Sequence, residues 1–165
     1  MCLPPKARLM TEAVARGLAE LRLPVIRLAY DFTSMRQQIM NAVTILPANL
    51  PKRRYRRICC HVLYNYTDKP QDLFERVRDL LAWGVAAYPM RYQPLNGEHA
   101  FQNDSYVSQD WTPEELDMVA AARRVIGFGG AFPPYEGLVK KFYHARNFHD
   151  AFGLRARKPR SEDEA

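Results

Sequence analysis

Three short apolar segments each end in polar and aromatic side chains: Tyr30-Asp31-Phe32, Asn65-Tyr66-Thr67 and Arg91-Tyr92-Gln93. Rings, an amide, a carboxylate and a guanidinium in that company suit a flat heterocycle carrying hydroxyl groups, such as a nucleoside. Other constellations are weaker on chemical grounds. Cys59-Cys60-His61 has metal-ligand residue types, but neighbours on a strand point to opposite faces, so the two thiols diverge. No second Cys or His pair at chelating spacing joins them, and a buried core role is expected for these thiols. Gly127-Phe128-Gly129-Gly130 follows a helical stretch rather than a strand, the wrong context for a phosphate cradle, so it reads as helix termination. His99, His144 and His149 have no carboxylate or cysteine at diagnostic spacing and read as surface residues. No Walker A sequence, G-x-S-x-G elbow or H-E-x-x-H pair occurs.

The elements that must position the three segment ends alternate along the chain. Residues 11–21 place Ala13, Val14, Leu18 and Leu21 at helical spacing. A first strand is expected over 23–32, with Pro24 at its start, where a missing N–H is tolerated. Ser34 followed by Gln37 predicts a capping box, with Ile39, Met40, Val43 and Leu46 as the apolar stripe and Pro47 at the exit. The second strand is expected over 58–65. Thr67 or Asp68 is the expected cap of the next helix, with Pro70 in its first turn. That helix has Leu73, Val77, Leu80 and Leu81 on its buried face and Glu75, Arg76, Arg78 and Asp79 on its wet one. Gly84 ends it, and a third strand follows from Val85. Residues 96–110 read as a long loop. Thr112, Pro113, Glu114 and Glu115 give the strongest helix start in the chain, for a helix carrying Leu116, Val119, Ala120 and Val125. One last helix is expected from 135 to 152.

The fold class is therefore α/β: three parallel strands joined by crossover helices, half of a barrel-like sheet, with C-terminal helices added. The near-continuous apolar strands suggest cover on both faces. The expected organisation is an N-terminal helix over 1–22, a β-α-β-α-β half-barrel over 23–95, a loop and helices over 96–153 and a disordered tail over 154–165. Three strands cannot close on themselves, so the sheet reads as part of a larger one, with Arg27 and Asp31 on one side of the first strand.

Composition bounds the function. The chain has 165 residues, 47% hydrophobic and 25% charged, enough for one domain with its own core. No apolar run reaches the length that spans a bilayer, and the N-terminus lacks a signal-peptide core, so neither a membrane nor secretion is expected. Three cysteines, two of them adjacent, suit a reducing cytoplasm. The net charge is +6, but five of those charges stand in Lys52, Arg53, Arg54, Arg56 and Arg57, and without them the balance falls to +1. A general basic surface is therefore absent. A solvated loop is the plainer reading of this cluster, and contact with RNA phosphates is the alternative.

Three stretches carry a family resemblance: VLYNYTDKPQDLFERVRDLLAWGV, YPMRYQPL and WTPEELDMVAAARRVIGFGGAFPPYEGLVKKF. Over about residues 20–153 the chain resembles the C-terminal half of uncharacterised proteins of the radical S-adenosylmethionine superfamily. The resemblance implies a partial (β/α)6 barrel of which this chain supplies the fourth to sixth strands. It also implies cleavage of S-adenosylmethionine at a [4Fe-4S] cluster, giving a deoxyadenosyl radical. On that match Arg27 and Asp31 fall on the fourth strand, near ribose and methionine. Asn65 and Tyr66 fall at the end of the fifth strand, where many members have a glycine-rich turn at adenine. Met90, Arg91 and Tyr92 end the sixth, whose backbone commonly helps hold adenine.

The cluster-binding C-x-x-x-C-x-x-C motif does not occur in this sequence, and Cys2, Cys59 and Cys60 do not reproduce its spacing. The expectation is a truncated or split member that binds S-adenosylmethionine without ligating the cluster and is not catalytic alone. Its expected partner is a separate chain carrying the N-terminal half-barrel, or a second copy of itself. The alternative is a non-enzymatic binding module that contacts RNA through residues 52–57.

Overall fold

The computed structural model describes residues 9–21, 23–50, 58–100 and 105–154. The basic cluster at 52–57, Cys2 and the tail beyond 154 lie outside them. Three parallel strands, β1 (Ile26–Ala29), β2 (Ile58–Tyr64) and β3 (Ala86–Arg91), form one sheet in the order β1-β2-β3. The register aligns Arg27 with Cys59, Ala29 with His61, His61 with Tyr88 and Leu63 with Met90. The crossovers are helices α2 (Arg36–Asn49) and α3 (Pro70–Ala82). Right-handed connections in this strand order put both on the same face of the sheet. An N-terminal helix, α1 (Glu12–Glu20), packs on α2, while α5 (Glu136–His144) and α6 (Phe148–Phe152) pack on α3. Helix α4 (Pro113–Val125) completes the helical layer against α6.

One face of the sheet is covered and the other is open. Ile58, Cys60, Val62 and Tyr64 of β2 are buried, while Cys59, His61 and Leu63 between them are half-buried. Ile26 and Leu28 of β1 and Ala87 of β3 continue the covered side over Ile39, Leu46, Leu73, Phe74 and Val77. Burying each large aliphatic side chain contributes about 1.5–3 kcal/mol. The expected cover on both faces is therefore not found among the described residues; the strands alternate as one-sided sheets do.

The two outer edges of the sheet differ. Ala87 and Phe132 exchange backbone hydrogen bonds of 3.0 and 2.7 Å, so a short antiparallel bridge covers the outer edge of β3. Pro89 is tolerated in β3 because the odd positions of that strand turn their backbone groups outward, away from β2. At β1, Tyr30 N donates to His61 O, so the alternate backbone groups of Arg27 and Ala29 point away from the sheet. No strand among the described residues pairs with them.

Several local expectations need correction. The Ser34–Gln37 capping box does not form: a 3-10 turn, Thr33–Met35, leads into α2, and Gln37 donates to Asn41 at 2.9 Å instead. Helix α2 continues through Pro47 into its last turn, although a proline there removes one i→i−4 donor. In α1, Val14 and Leu21 are exposed and Ala15 is the buried residue. Neither Thr67 nor Asp68 caps α3; Lys69 does, its N–H donating to the Asp72 carboxylate at 2.9 Å. Arg76 is fully buried rather than on the wet face. Ala120 and Val125 of α4 are exposed. The expected last helix is two helices, broken at residues 145–147, because Asn147 caps α6 by accepting from Asp150 N at 2.9 Å.

The Thr112–Glu115 capping box and Pro113 start α4 as their chemistry requires. Gly84, at φ +74°, ends α3 in the left-handed conformation that glycine adopts without penalty.

Candidate functional site

The open face and the strand ends are built from two layers of support. Arg76 is the inner one. Its Nη1 donates to the carbonyls of Tyr30 (3.1 Å), Asp31 (2.6 Å) and Leu63 (2.8 Å), and its Nη2 to Asp68 Oδ2 (2.6 Å). Its Nε donates to Asp72 O at 3.0 Å. A buried cation is tolerable only with its donors satisfied in this way, and here they close the C-terminal ends of β1 and β2 around one guanidinium. Sequence periodicity could not reveal this, because Arg76 carries a charge and follows another charged residue, Glu75. The available signal was its position beside Val77 on the apolar side of α3.

Asn65 is the outer support. It is fully buried with φ +65°, an uncommon backbone for a non-glycine residue. Its Nδ2 donates to Tyr106 O (2.9 Å) and Tyr92 O (3.4 Å), and its Oδ1 accepts from Ser108 N (2.9 Å). The side chain thus ties the exit of β3 to the 105–108 segment, and its polar atoms are committed to the backbone. Arg91 Nη2 donates to the same Tyr106 carbonyl at 3.0 Å.

Of the remaining expected site residues, Arg27 and Asp31 stand on the open side of β1. Arg27 is exposed. Asp31 is half-buried, and its Oδ1 accepts from Leu63 N at 3.3 Å. Tyr66 and Tyr92 lie at the strand ends with ring centroids 4.6 Å apart. Asn65 and Arg91 meet them through Tyr106 and Tyr92 backbone atoms, so the six residues divide into an open-face pair, a ring pair and a supporting pair.

The open face also holds residues that sequence reasoning did not select. His61 Nδ1 lies 2.9 Å from Met90 Sδ, and its ring is 5.3 Å from Tyr88. Burial, aided by the Arg27 charge, pushes the His61 imidazole below its usual range, and Asp31 opposes the shift. The Arg123 guanidinium of α4 sits 5.0 Å above Tyr88 and donates to Gly130 O at 2.8 Å. It forms a rim on the β3 side. Gly129 and Gly130 both have positive φ, as a two-residue hairpin turn requires, and that turn carries Phe132 to the β3 edge. The glycine run therefore serves a turn.

Cys59 and Cys60 point to opposite sides of the sheet: Cys59 half-buried on the open face, Cys60 fully buried beneath the helices. Burial raises both thiols above their usual range. The pair does not fit a shared iron–sulfur cluster. Among the described residues no three His, Cys, Asp or Glu side chains gather into a group that could hold a metal ion. No helix among them is long and apolar enough to cross a membrane.

A separate open groove of about 830 Å³ is lined by Val125, Lys140, Lys141, His144 and His149 on the helical side. Its lysines are engaged, Lys140 with Glu136 at 2.6 Å and Lys141 with the carbonyls of Asp150 and Gly153. None of its lining residues belongs to a strand, and the convergent polar groups of the open face make that face the better candidate.

No family model, curated protein or solved structure matches this chain.

Proposed function

We propose that this chain is the C-terminal half of a split or truncated barrel of the radical S-adenosylmethionine type, and that its open sheet face binds S-adenosylmethionine. One observation carries the reading: a sheet buried on one side turns Arg27, Asp31, His61 and Tyr88 to the other, beside a β1 edge with no partner strand among the described residues. The Asp31 carboxylate is an acceptor suited to vicinal ribose hydroxyls. Arg27 supplies a cation for the methionine carboxylate. Asn65 and Arg91 act from behind by fixing the loop that carries Tyr106.

The cluster chemistry is not assigned to this chain. Cys59 and Cys60 diverge across the sheet, so no step through a [4Fe-4S] centre is derived from its described residues. The chain contributes binding, and the reductive step belongs to a partner carrying the cluster ligands, which would lie along the outer edge of β1.

Equilibrium dialysis with labelled S-adenosylmethionine tests the reading. Saturable binding is expected, weakened about tenfold or more when Arg27→Ala and Asp31→Asn remove two charge-assisted contacts. Absence of binding, or binding indifferent to both substitutions, would contradict it.

A further inference from the structure

We propose that Arg123, seated on the Tyr88 ring at the β3 side of the open face, recognises the carboxylate of a second small molecule, distinct from the S-adenosylmethionine assigned to the β1 side. Its assignment as a substrate position rests on the proposed function, whereas the carboxylate contact itself does not.

Arg123 is held in place before any ligand arrives. Its Nε donates to Gly130 O at 2.8 Å, and its guanidinium lies 5.0 Å over the Tyr88 ring. A Cβ on Gly130 would stand 2.8 Å from Arg123 Nη2, so the glycine leaves the room that this seat needs. Arg123 is half-buried, and among the described residues it has no ion pair and no hydrogen bond beyond the one to Gly130 O. Nη1 and Nη2 therefore keep a fork of N–H donors open, the geometry that matches the two oxygens of a carboxylate. A guanidinium already ordered in this way loses little further freedom on binding.

Support of its own helix does not account for the seat. A basic residue in the last turn of α4 offsets the carbonyl end of the helix, but Arg124 carries the same charge there, exposed. Arg123 reaches instead to a strand. A cleft of about 400 Å³ adjoins it, lined by both arginines and by Gly127, Gly129 and Gly130, with no acidic side chain in the lining. A small acid finds room there and no repelling carboxylate. The carbonyl end of α4 borders the same cleft, which disfavours a multiply charged group such as phosphate and favours a monoanion.

The position is separate from Arg27. Strand β2 lies between β1 and β3, and two strand spacings amount to about 10 Å. Arg27 aligns with Cys59 and through it with Ala86, whereas Tyr88 aligns with His61, two residues further along. With Arg123 pinned at Gly130, the two guanidinium groups address opposite ends of the face. S-adenosylmethionine has a single carboxylate, assigned to Arg27, so the anion for Arg123 comes from another molecule.

NMR titration of the full chain, without S-adenosylmethionine, tests this with benzoate as the carboxylate probe and benzamide as its neutral isostere. Saturable shifts at the Arg123 Nε–H and at the Tyr88 and Gly130 amides are expected with benzoate and not with benzamide. Arg123→Lys keeps the charge but loses the fork, and should weaken benzoate binding about tenfold or more. A thermal melt of that variant separates loss of the contact from loss of the fold, and the comparison of the two probes on the unaltered chain stands without it. Saturating S-adenosylmethionine should leave the benzoate affinity unchanged. No shift at these groups, equal shifts with benzamide, an unchanged affinity in a folded Arg123→Lys variant, or displacement of benzoate by S-adenosylmethionine would overturn the proposal. Failure here is read with benzoate and failure of the proposed function with S-adenosylmethionine alone, so the two are distinguishable.

Discussion

Arg76, from the middle of α3, donates to the carbonyl of Asp31 at 2.6 Å, across 45 residues of chain, and so fixes the backbone that presents the Asp31 carboxylate. The same guanidinium meets Asp68 at 2.6 Å with both side chains buried. Arg76→Met should keep the volume of the stem but remove its donors from four carbonyls and a carboxylate. The expected loss is about 3–5 kcal/mol, the range for breaking one side of a buried pair. Urea unfolding followed by circular dichroism measures it. A loss within 1 kcal/mol or so would mean that the network is dispensable.

Asn65 separates backbone strain from side-chain bonding. Asn65→Gly relieves the positive φ but loses three hydrogen bonds, whereas Asn65→Ala loses the bonds and keeps the strain. The alanine variant should therefore be the less stable by about 1–2 kcal/mol, the typical penalty of a left-handed residue with a Cβ. Paired thermal melts give the difference. Equal stability would show that the loop holds its shape without the backbone conformation at 65.

His61 should give the fold a pH dependence of defined sign. Its imidazole is pushed below the ordinary value of 6.5, first by burial and then by Arg27. The unfolded chain thus binds a proton that the folded chain refuses, and stability rises with pH across that window. The contribution is fully present above pH 6.5 and is lost as pH falls through the depressed folded value. His61→Phe should flatten the melting temperature against pH between neutrality and mild acid. Parallel slopes for the two proteins would place the dependence elsewhere.

The strand–helix alternation was legible because it rests on local signals. Proline at the first helical position, the Thr112–Glu115 box and the glycine after α3 each act within a few residues, and each stands where its chemistry requires. Ser34 and Gln37 had the same local pattern, yet no box forms, because a 3-10 turn takes its place. What the sequence hid is tertiary. Arg76 looks wet until its partners, the farthest 46 residues away, are seen to converge on it. The rings of Tyr66, Tyr92 and Tyr106 come together from three separate segments, a span no window of periodicity covers. The open face was partly legible in Arg27 and Asp31. His61, Tyr88 and Arg123 joined it only through register and through the approach of α4.

The central claim, that the uncovered side of the sheet is a nucleoside-binding wall, is tested most directly by backbone amide NMR during titration with S-adenosylmethionine. Shifts concentrated at Arg27, Ala29, Asp31, His61 and Tyr88, the residues of that one face, are expected. Shifts that instead cluster around Lys140, His144 and His149 in the helical groove, or no shifts at all, would contradict it.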